Sequence, residues 1–331
     1  MRVLVTGGAG FIGSHVVDYY LSQKTDITVV DNLVTGRIEN LRHNLDNPQL
    51  KFVMDSILNR QTMEPLIAEA DLVYNLAAPV GVKFIMNHPV HTLLDNVRGI
   101  DCVLEYCNKY RKKVLVASSS EVYGRNLEFS TKGKSSLLNE DSVRVMGATS
   151  NHRWAYANTK AFDEFLALAY KKEFGLPVVV VRFFNIIGPR QTGDFGMVVP
   201  SFIKKALNND SIEIYGTGTQ TRTFFYVKDA ISAMVGLMNL PAAYGEVYNI
   251  GGSDEISIID LAKKVIQLTK SKSKIKVIDY KTAYGDGFED MLRRTPDTAK
   301  LKKTINFTQY YHLDKMLLEI IQSVKKQLNA G

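Results

Sequence analysis

The stretch Thr6-Gly7-Gly8-Ala9-Gly10-Phe11-Ile12-Gly13 restricts the fold of this chain more than any other, because it follows a β-branched run and opens a helix. Glycine at positions 7, 10 and 13 permits a tight turn, close approach of backbone to a pyrophosphate, and packing of helix on strand. The helix N-terminus attracts phosphate through its free amides and its dipole. A glycine triplet alone is a weak signal, but here Asp31 closes the next strand. A carboxylate there accepts hydrogen bonds from both ribose hydroxyls and repels a 2′-phosphate. The whole unit predicts dinucleotide binding, with NAD favoured over NADP.

The first half of the chain continues that logic. Strands read at Arg2 to Thr6, Ile27 to Asp31, Lys51 to Val53, Leu72 to Leu76, Val114 to Ser118 and Val178 to Phe183, with helical periodicity between most of them. Such alternation predicts an α/β fold, a Rossmann-type doubly wound parallel sheet of about seven strands with both faces covered. After Phe184 the pattern loses regularity in turn-rich pieces such as Gly188-Pro189 and Gly216-Thr217-Gly218, followed by a helix from about Ser257 to Leu268. This reads as a smaller C-terminal α/β substrate lobe. Val247-Tyr248-Asn249-Ile250 reads as one more buried strand of the sheet. The expected division is 1–184 plus 224–250 for the cofactor domain and 185–223 plus 251–331 for the substrate domain.

Composition narrows the partners. The chain has 331 residues, 45% hydrophobic and 23% charged, and no apolar run of bilayer length, so no membrane partner is expected. The first residues read as a strand rather than a signal peptide, which places the expected location in the cytoplasm. Cys102 and Cys107 sit in a predicted helix with no second pair, as reduced packing residues. The net charge of +7 is dispersed, and no aromatic-basic nucleic-acid signature accompanies it. A small anionic substrate suits this balance better than a polynucleotide. His15, His43, His88, His91, His152 and His312 lack ligand spacing, so no metal is expected.

Chemistry enters at Tyr156-Ala157-Asn158-Thr159-Lys160, inside a helix predicted from near Arg153 to the stop Gly175-Leu176-Pro177. Tyrosine and lysine at this spacing share a helix face, so the ammonium can hold the phenol's pKa down and let it act as a base near neutrality. That is a means of taking a proton from a sugar hydroxyl.

These segments, with Asn75-Leu76-Ala77-Ala78, the run from Arg182 to Arg190 and the run from Thr221 to Asp229, resemble the extended short-chain dehydrogenase/reductase family of nucleotide-sugar epimerases, dehydratases and decarboxylases. The likeness runs nearly end to end. It implies an NAD cofactor and a UDP-sugar substrate. It places Asp55 and Ser56 by the adenine, Ala77 in the cofactor cleft, and Tyr156 and Lys160 at the nicotinamide ribose, with Phe11, Ile12, Asn32 and Asn96 completing the cofactor set. On the substrate side it implies Asn185 and Arg222 at the diphosphate, joined by Val199 and Tyr215. Tyr215 could stack on a uracil or simply pack between lobes. Met54 departs from the family, which often has glycine there. A homodimer is also implied, through helices spanning about Val90 to Asn108 and Tyr156 to Glu173.

Residues 119 to 121 bear on which reaction follows oxidation at C4 of the sugar. The resemblance implies that Ser119 hydrogen-bonds the C4 oxygen. Dehydratases of the family carry Asp-Glu where this chain has Ser120-Glu121, so dehydration loses its proton donor. In 4-epimerases the position of Glu121 is typically small or hydroxylic. Ser120-Glu121-Val122-Tyr123-Gly124 instead looks like the UDP-glucuronate decarboxylases of the family. Arg153-Trp154-Ala155-Tyr156 and the run from Tyr284 to Asp290 followed by Arg293-Arg294-Thr295-Pro296 resemble the same subgroup, in which the arginine matching Arg294 faces the substrate carboxylate. The implied activity is decarboxylation of a UDP-uronic acid, with 4-epimerisation as the alternative. A catalytically retired NAD sensor would be marked by loss of Tyr156 or Lys160, and both are present. Glu121 has a second reading, as a satisfied ion pair with a nearby lysine.

Overall fold

The computed structural model describes residues 1–78, 89–126, 137–151, 154–193, 197–279, 282 and 291–330. His88, His152, Arg153 and the run from Tyr284 to Asp290 lie outside the described residues.

The first six strands are β1 (Arg2–Thr6), β2 (Asp26–Asp31), β3 (Leu50–Met54), β4 (Leu72–Asn75), β5 (Lys113–Ser119) and β6 (Val178–Phe183). Four short ones follow, β7 (Ile186–Ile187), β8 (Ile212–Tyr215), β9 (Thr221–Thr223) and β10 (Phe225–Tyr226). The last are β11 (Glu246–Ile250), β12 (Glu255–Ser257), β13 (Ile275–Ile278) and β14 (Arg293–Arg294). Seven of them form one parallel sheet in the order β11-β6-β5-β4-β1-β2-β3. Its central strands are apolar on both faces because helices cover both, and alternate residues of β1 show it. Val3 and Val5 enter one core with Val16, Val17 and the helix Val227–Met238, while Leu4 enters the other with Val73, Val103 and Val114. Strand order reverses between β1 and β4, and a crevice at the carboxyl ends of strands at such a reversal is where ligands bind in these sheets.

A third core, that of the smaller lobe, gathers Val199, Phe202, Ile203, Leu261, Val265, Met316 and Leu317 from the helices Val198–Leu207, Ile258–Thr269 and Leu313–Ala330. The short parallel pair β7 and β10 joins the two lobes. In each strand the first residue, Ile186 or Phe225, enters the large core and the second, Ile187 or Tyr226, enters the small one. The expected division needs one correction within 251–331. The helix Ala299–Ile305 packs on the helix Val227–Met238 and on β11, and its Leu301 is fully buried in the core of the large sheet.

Candidate active site

The glycine turn forms a cradle that side chains would fill. Gly7 has φ +69°, and a Cβ there would lie 2.9 Å from the backbone of Ala77. At Gly13 a Cβ would lie 2.2 Å from the carbonyl oxygen of Gly7. Thr6 ties the ends of β1 and β4 together, donating to Asn75 Oδ1 at 2.8 Å and accepting from the Ala77 amide at 3.2 Å. The helix Phe11–Ser22 starts after Gly10 with no side chain capping its first amides, so Phe11 and Ile12 open a first turn suited to phosphate. Asp31 ends β2 with its carboxylate accepting from the amides of Ala9 (3.0 Å) and Leu33 (2.9 Å). Burial pushes that carboxyl above its ordinary pKa against these donors. The cradle and the carboxylate at the end of β2 fit a dinucleotide. Gly13→Ala is expected to cost about 1–3 kcal/mol through overpacking and to weaken NAD binding, read by thermal melting and cofactor titration.

The remaining cofactor positions take up defined places. Asp55 accepts from the Ser56 amide (2.7 Å), Asn59 Nδ2 (2.9 Å) and Thr62 Oγ1 (2.5 Å). Led by the Thr62 hydroxyl, these bonds hold its carboxyl below the usual range. Met54 is 71% exposed at the end of the edge strand β3. Asn32 Oδ1 accepts from the Val34 amide at 3.2 Å. Asn96 is buried, its amide donating to the Thr92 carbonyl at 2.7 Å.

Tyr156 and Lys160 lie in the helix Ala155–Phe174, which ends at Gly175 in the left-handed region with φ +74°. Lys160 is buried, and its Nζ donates to the Ala117 carbonyl (3.0 Å) and to Asp163 Oδ2 (2.9 Å). The ammonium does pull the phenol's pKa down, as the spacing implies, but it does not decide the net shift. Burial pushes the Tyr156 phenol up, and Lys160 and the Ser119 hydroxyl pull it down, but Glu121 and Asp163 push it up again, so the net shift is upward. Asp163 was missed in the sequence, although a carboxylate one helical turn beyond a lysine is a visible signal.

Ser119 ends β5 and caps the 3₁₀ turn Ser120–Tyr123, its Oγ accepting from the Glu121 amide at 3.2 Å. Ser120 is 2% exposed. The Glu121 carboxylate pairs with Arg294, across 173 residues of sequence. Arg294 Nη2 also donates to Asn185 Oδ1 at 2.9 Å, and Asn185 Nδ2 donates to the Thr223 carbonyl at 2.9 Å. β14 pairs with β9 so that Arg294 lies opposite Arg222, whose Nη1 donates to the carbonyls of Thr221 and Met291, both at 2.8 Å. The structure thus brings Ser119, Glu121, Tyr156, Asn185 and Arg294 into one connected group. Arg293 instead forks onto Glu255, with bonds of 2.7 and 2.6 Å. Val199 buries its side chain in the small-lobe core, whereas Tyr215 is 37% exposed.

Behind the site lies a polar network that the sequence did not disclose. Glu164 pairs with Arg182 through bonds of 2.9 and 2.7 Å and accepts from Ser118 Oγ at 2.5 Å. Arg182 donates to Tyr123 Oη at 2.8 Å, and Tyr123 donates to Asn249 Oδ1 at 2.7 Å. Asn249 Nδ2 donates to the carbonyls of Leu138 (2.8 Å) and Asp297 (3.1 Å). One buried amide therefore links the turn that carries Glu121 to the segment that carries Arg294.

Residues 3–251 match the NAD dependent epimerase/dehydratase family. The chain is 39% identical to the UDP-N-acetyl-alpha-D-glucosaminuronate decarboxylase of Bacillus cytotoxicus, over 97% of each chain. It is 33% identical to UDP-glucuronic acid decarboxylase 1 of Xenopus tropicalis, over 99% of this chain and 73% of that one. Among solved structures, UDP-glucuronic acid 4-epimerase from Bacillus cereus, in complex with UDP-glucuronic acid and NAD, has a TM-score of 0.87 at 27% identity, covering 99% of this chain and 100% of that one. With its glycine cradle, its Asp31 and its Tyr156 and Lys160 on one helix, the chain belongs to the NAD-dependent epimerase/dehydratase family.

Proposed function

We propose that this protein is an NAD-dependent decarboxylase of a UDP-uronic acid, UDP-glucuronate or UDP-N-acetylglucosaminuronate, acting through a 4-keto sugar. The observation that carries the reading is Arg294, held by Glu121 and Asn185 beside the serine and tyrosine of the site. A guanidinium is a strong, directional partner for a carboxylate, and orienting a leaving carboxylate is what decarboxylation asks of a protein. The two decarboxylase relatives support the same choice.

In this reading Gly7, Gly10, Phe11, Ile12, Gly13, Asp31, Asn32, Asp55, Ser56, Ala77 and Asn96 hold the cofactor. Bound NAD+ supplies a hydride acceptor and later donor at the sugar C4, and a positive charge that favours the phenolate. Tyr156 takes the C4 hydroxyl proton, Ser119 hydrogen-bonds the same oxygen, and Lys160 supports the phenolate. The C4 ketone is then β to the carboxylate, so the C5–C6 bond breaks, carbon dioxide leaves, and the electron pair rests on the C4 oxygen. A proton must enter at C5, and Glu121 paired with Arg294 is the group to relay it, with buried Ser120 beside it. Arg222 and Asn185 hold the diphosphate, with Tyr215 and Val199 on the nucleoside side. Reduction at C4 then yields the UDP-pentose, so one proton is consumed and the cofactor ends as it began.

The test is incubation of the protein with NAD+ and each UDP-uronate in turn, with products read by mass spectrometry and NMR. Loss of one carbon dioxide is the expected result, and the preferred uronate reports whether C2 carries hydroxyl or acetamido. Unchanged mass with inversion at C4 would establish the 4-epimerase instead.

The proposal extends to a cytoplasmic homodimer. Free, buried Cys102 and Cys107 suit a reducing compartment. Among the described residues no helix is long and apolar enough to cross a membrane. Val90, Leu93 and Leu94 of the helix Pro89–Lys109 are exposed, as are Phe162 and Phe165 of the helix Ala155–Phe174 that packs against it. Together they offer an apolar face of the kind that pairs with a second copy. Phe165→Asp is expected to weaken association by about 2 kcal/mol or more, seen as monomer in sedimentation velocity.

A further inference from the structure

We propose that Asp163 is a positioning residue for the Tyr156 base: it fixes where the Lys160 ammonium sits and limits how much of that positive charge reaches the phenol. The inference rests on the reading of Tyr156 as the base. Its foundation is geometric. Asp163 is 2% exposed, and its Oδ2 lies 2.9 Å from Lys160 Nζ one helical turn earlier. The Ala117 carbonyl takes a second ammonium proton at 3.0 Å, so Lys160 is anchored from two sides before any ligand arrives. Asp163 Oδ1 is buried and finds no hydrogen-bond partner, so the carboxylate is held in place chiefly for the lysine.

A buried carboxylate beside an ammonium has two opposed effects. It keeps the lysine charged where burial alone would strip its proton. It also screens that charge from any third group, here the phenol. Both signs are present. Burial lowers the Lys160 pKa, but Asp163, Tyr156 and Glu164 outweigh it and hold the ammonium above its usual value. On the phenol, burial and then Glu121 and Asp163 act upward against Lys160.

Among the described residues the surrounding charges are few. From the same helix Glu164 acts on the pair, and it is itself bound to Arg182 of β6. β5 contributes the Ala117 carbonyl and the Ser118 hydroxyl, the latter committed to Glu164. The 3₁₀ turn contributes Glu121, which acts on the phenol and is paired with Arg294. The neighbouring helix Pro89–Lys109 buries neutral Thr92 and Asn96, while its Asp95, Asp101 and Glu105 are half-buried or exposed. Asp163 is therefore the anion in direct contact with the ammonium.

The test labels tyrosine with ¹³C at Cζ and titrates the NAD+-bound protein by NMR, with Tyr156→Phe to assign the signal. In Asp163→Asn the Tyr156 resonance is expected to titrate about one to three pH units lower than in the parent, the range for removing a nearby like charge. Asp163→Ala should shift it in the same direction, and Asp163→Glu should restore the parental value. In steady-state assays the rising limb of the kcat–pH profile follows the phenol to lower pH. The falling limb moves down as well, because Lys160 loses the group that keeps it charged. An unchanged Tyr156 titration in folded, NAD-binding Asp163→Asn and Asp163→Ala would overturn the proposal and leave Asp163 as packing. The titration needs no sugar, so failure to decarboxylate UDP-uronates counts against the proposed function and leaves this result standing.

Discussion

Arg294→Ala is expected to abolish measurable release of carbon dioxide while NAD still binds. Two losses combine. Glu121 is deprived of its guanidinium inside a nearly closed site, and truncating one partner of such a pair costs about 2–5 kcal/mol. The substrate carboxylate also loses the group that would orient it, at the step where misplacement is costly. The expected fall in kcat/KM is about a thousandfold or more. Arg294→Lys should recover little, since a point charge cannot both fork onto a carboxylate and reach Asn185. Glu121→Gln keeps the shape and removes the charge, and should slow turnover by about a hundredfold. Single-turnover absorbance distinguishes these variants from ones impaired in the first step. C4 oxidation remains possible in both, so NADH should accumulate when a UDP-uronate is added. If both variants decarboxylate at the parental rate, the roles of Glu121 and Arg294 are wrong.

Tyr156→Phe is expected to stop the sequence one step earlier. No NADH should form from any UDP-sugar, and turnover should fall by about a thousandfold or more, with NAD affinity retained. The sign of the pH effect follows from the site. The base works when deprotonated, and burial, with Glu121 and Asp163, shifts the phenol of the free protein upward, away from that form. Activity in the parent should therefore rise with pH through the phenol's pKa in the cofactor-bound enzyme, and residual activity of the phenylalanine variant should lose that rise. A pH profile unchanged by the substitution would remove Tyr156 from the proton transfer.

Much of the fold was visible in the sequence because parallel, doubly covered strands read as apolar runs. Arg2 to Thr6 and Val178 to Phe183 match β1 and β6, and Val247 to Ile250 falls within β11. The helix expected from Ser257 begins at Ile258, with Ser257 Oγ capping it by accepting from the Asp260 amide at 3.1 Å. Local chemistry of this kind is written in consecutive residues. What escaped was pairing across distance. Glu121 and Arg294 come to one site in the sequence only through the resemblance, because their contact is made by the register of β14 on β9, which has no local signature. Leu301 falls in the range expected for the substrate lobe, and the return of its short helix to the large sheet leaves no mark on its periodicity. Trp154 is 1% exposed and belongs to the interior. The spacing of tyrosine and lysine gives the sign of their mutual effect, but not the net shift of the phenol. Spacing does not report burial, and burial together with Asp163 and Glu121 reverses the sign of the phenol's shift.

The central claim is that the site removes a carboxylate from a UDP-uronate. It is tested most directly by giving the NAD-loaded protein a UDP-uronate labelled with ¹³C at C6 and following the label by NMR. The account predicts that the label appears in carbon dioxide and bicarbonate, while an unlabelled UDP-pentose accumulates with no net change in the cofactor. Label retained in a UDP-uronate inverted at C4 would contradict it.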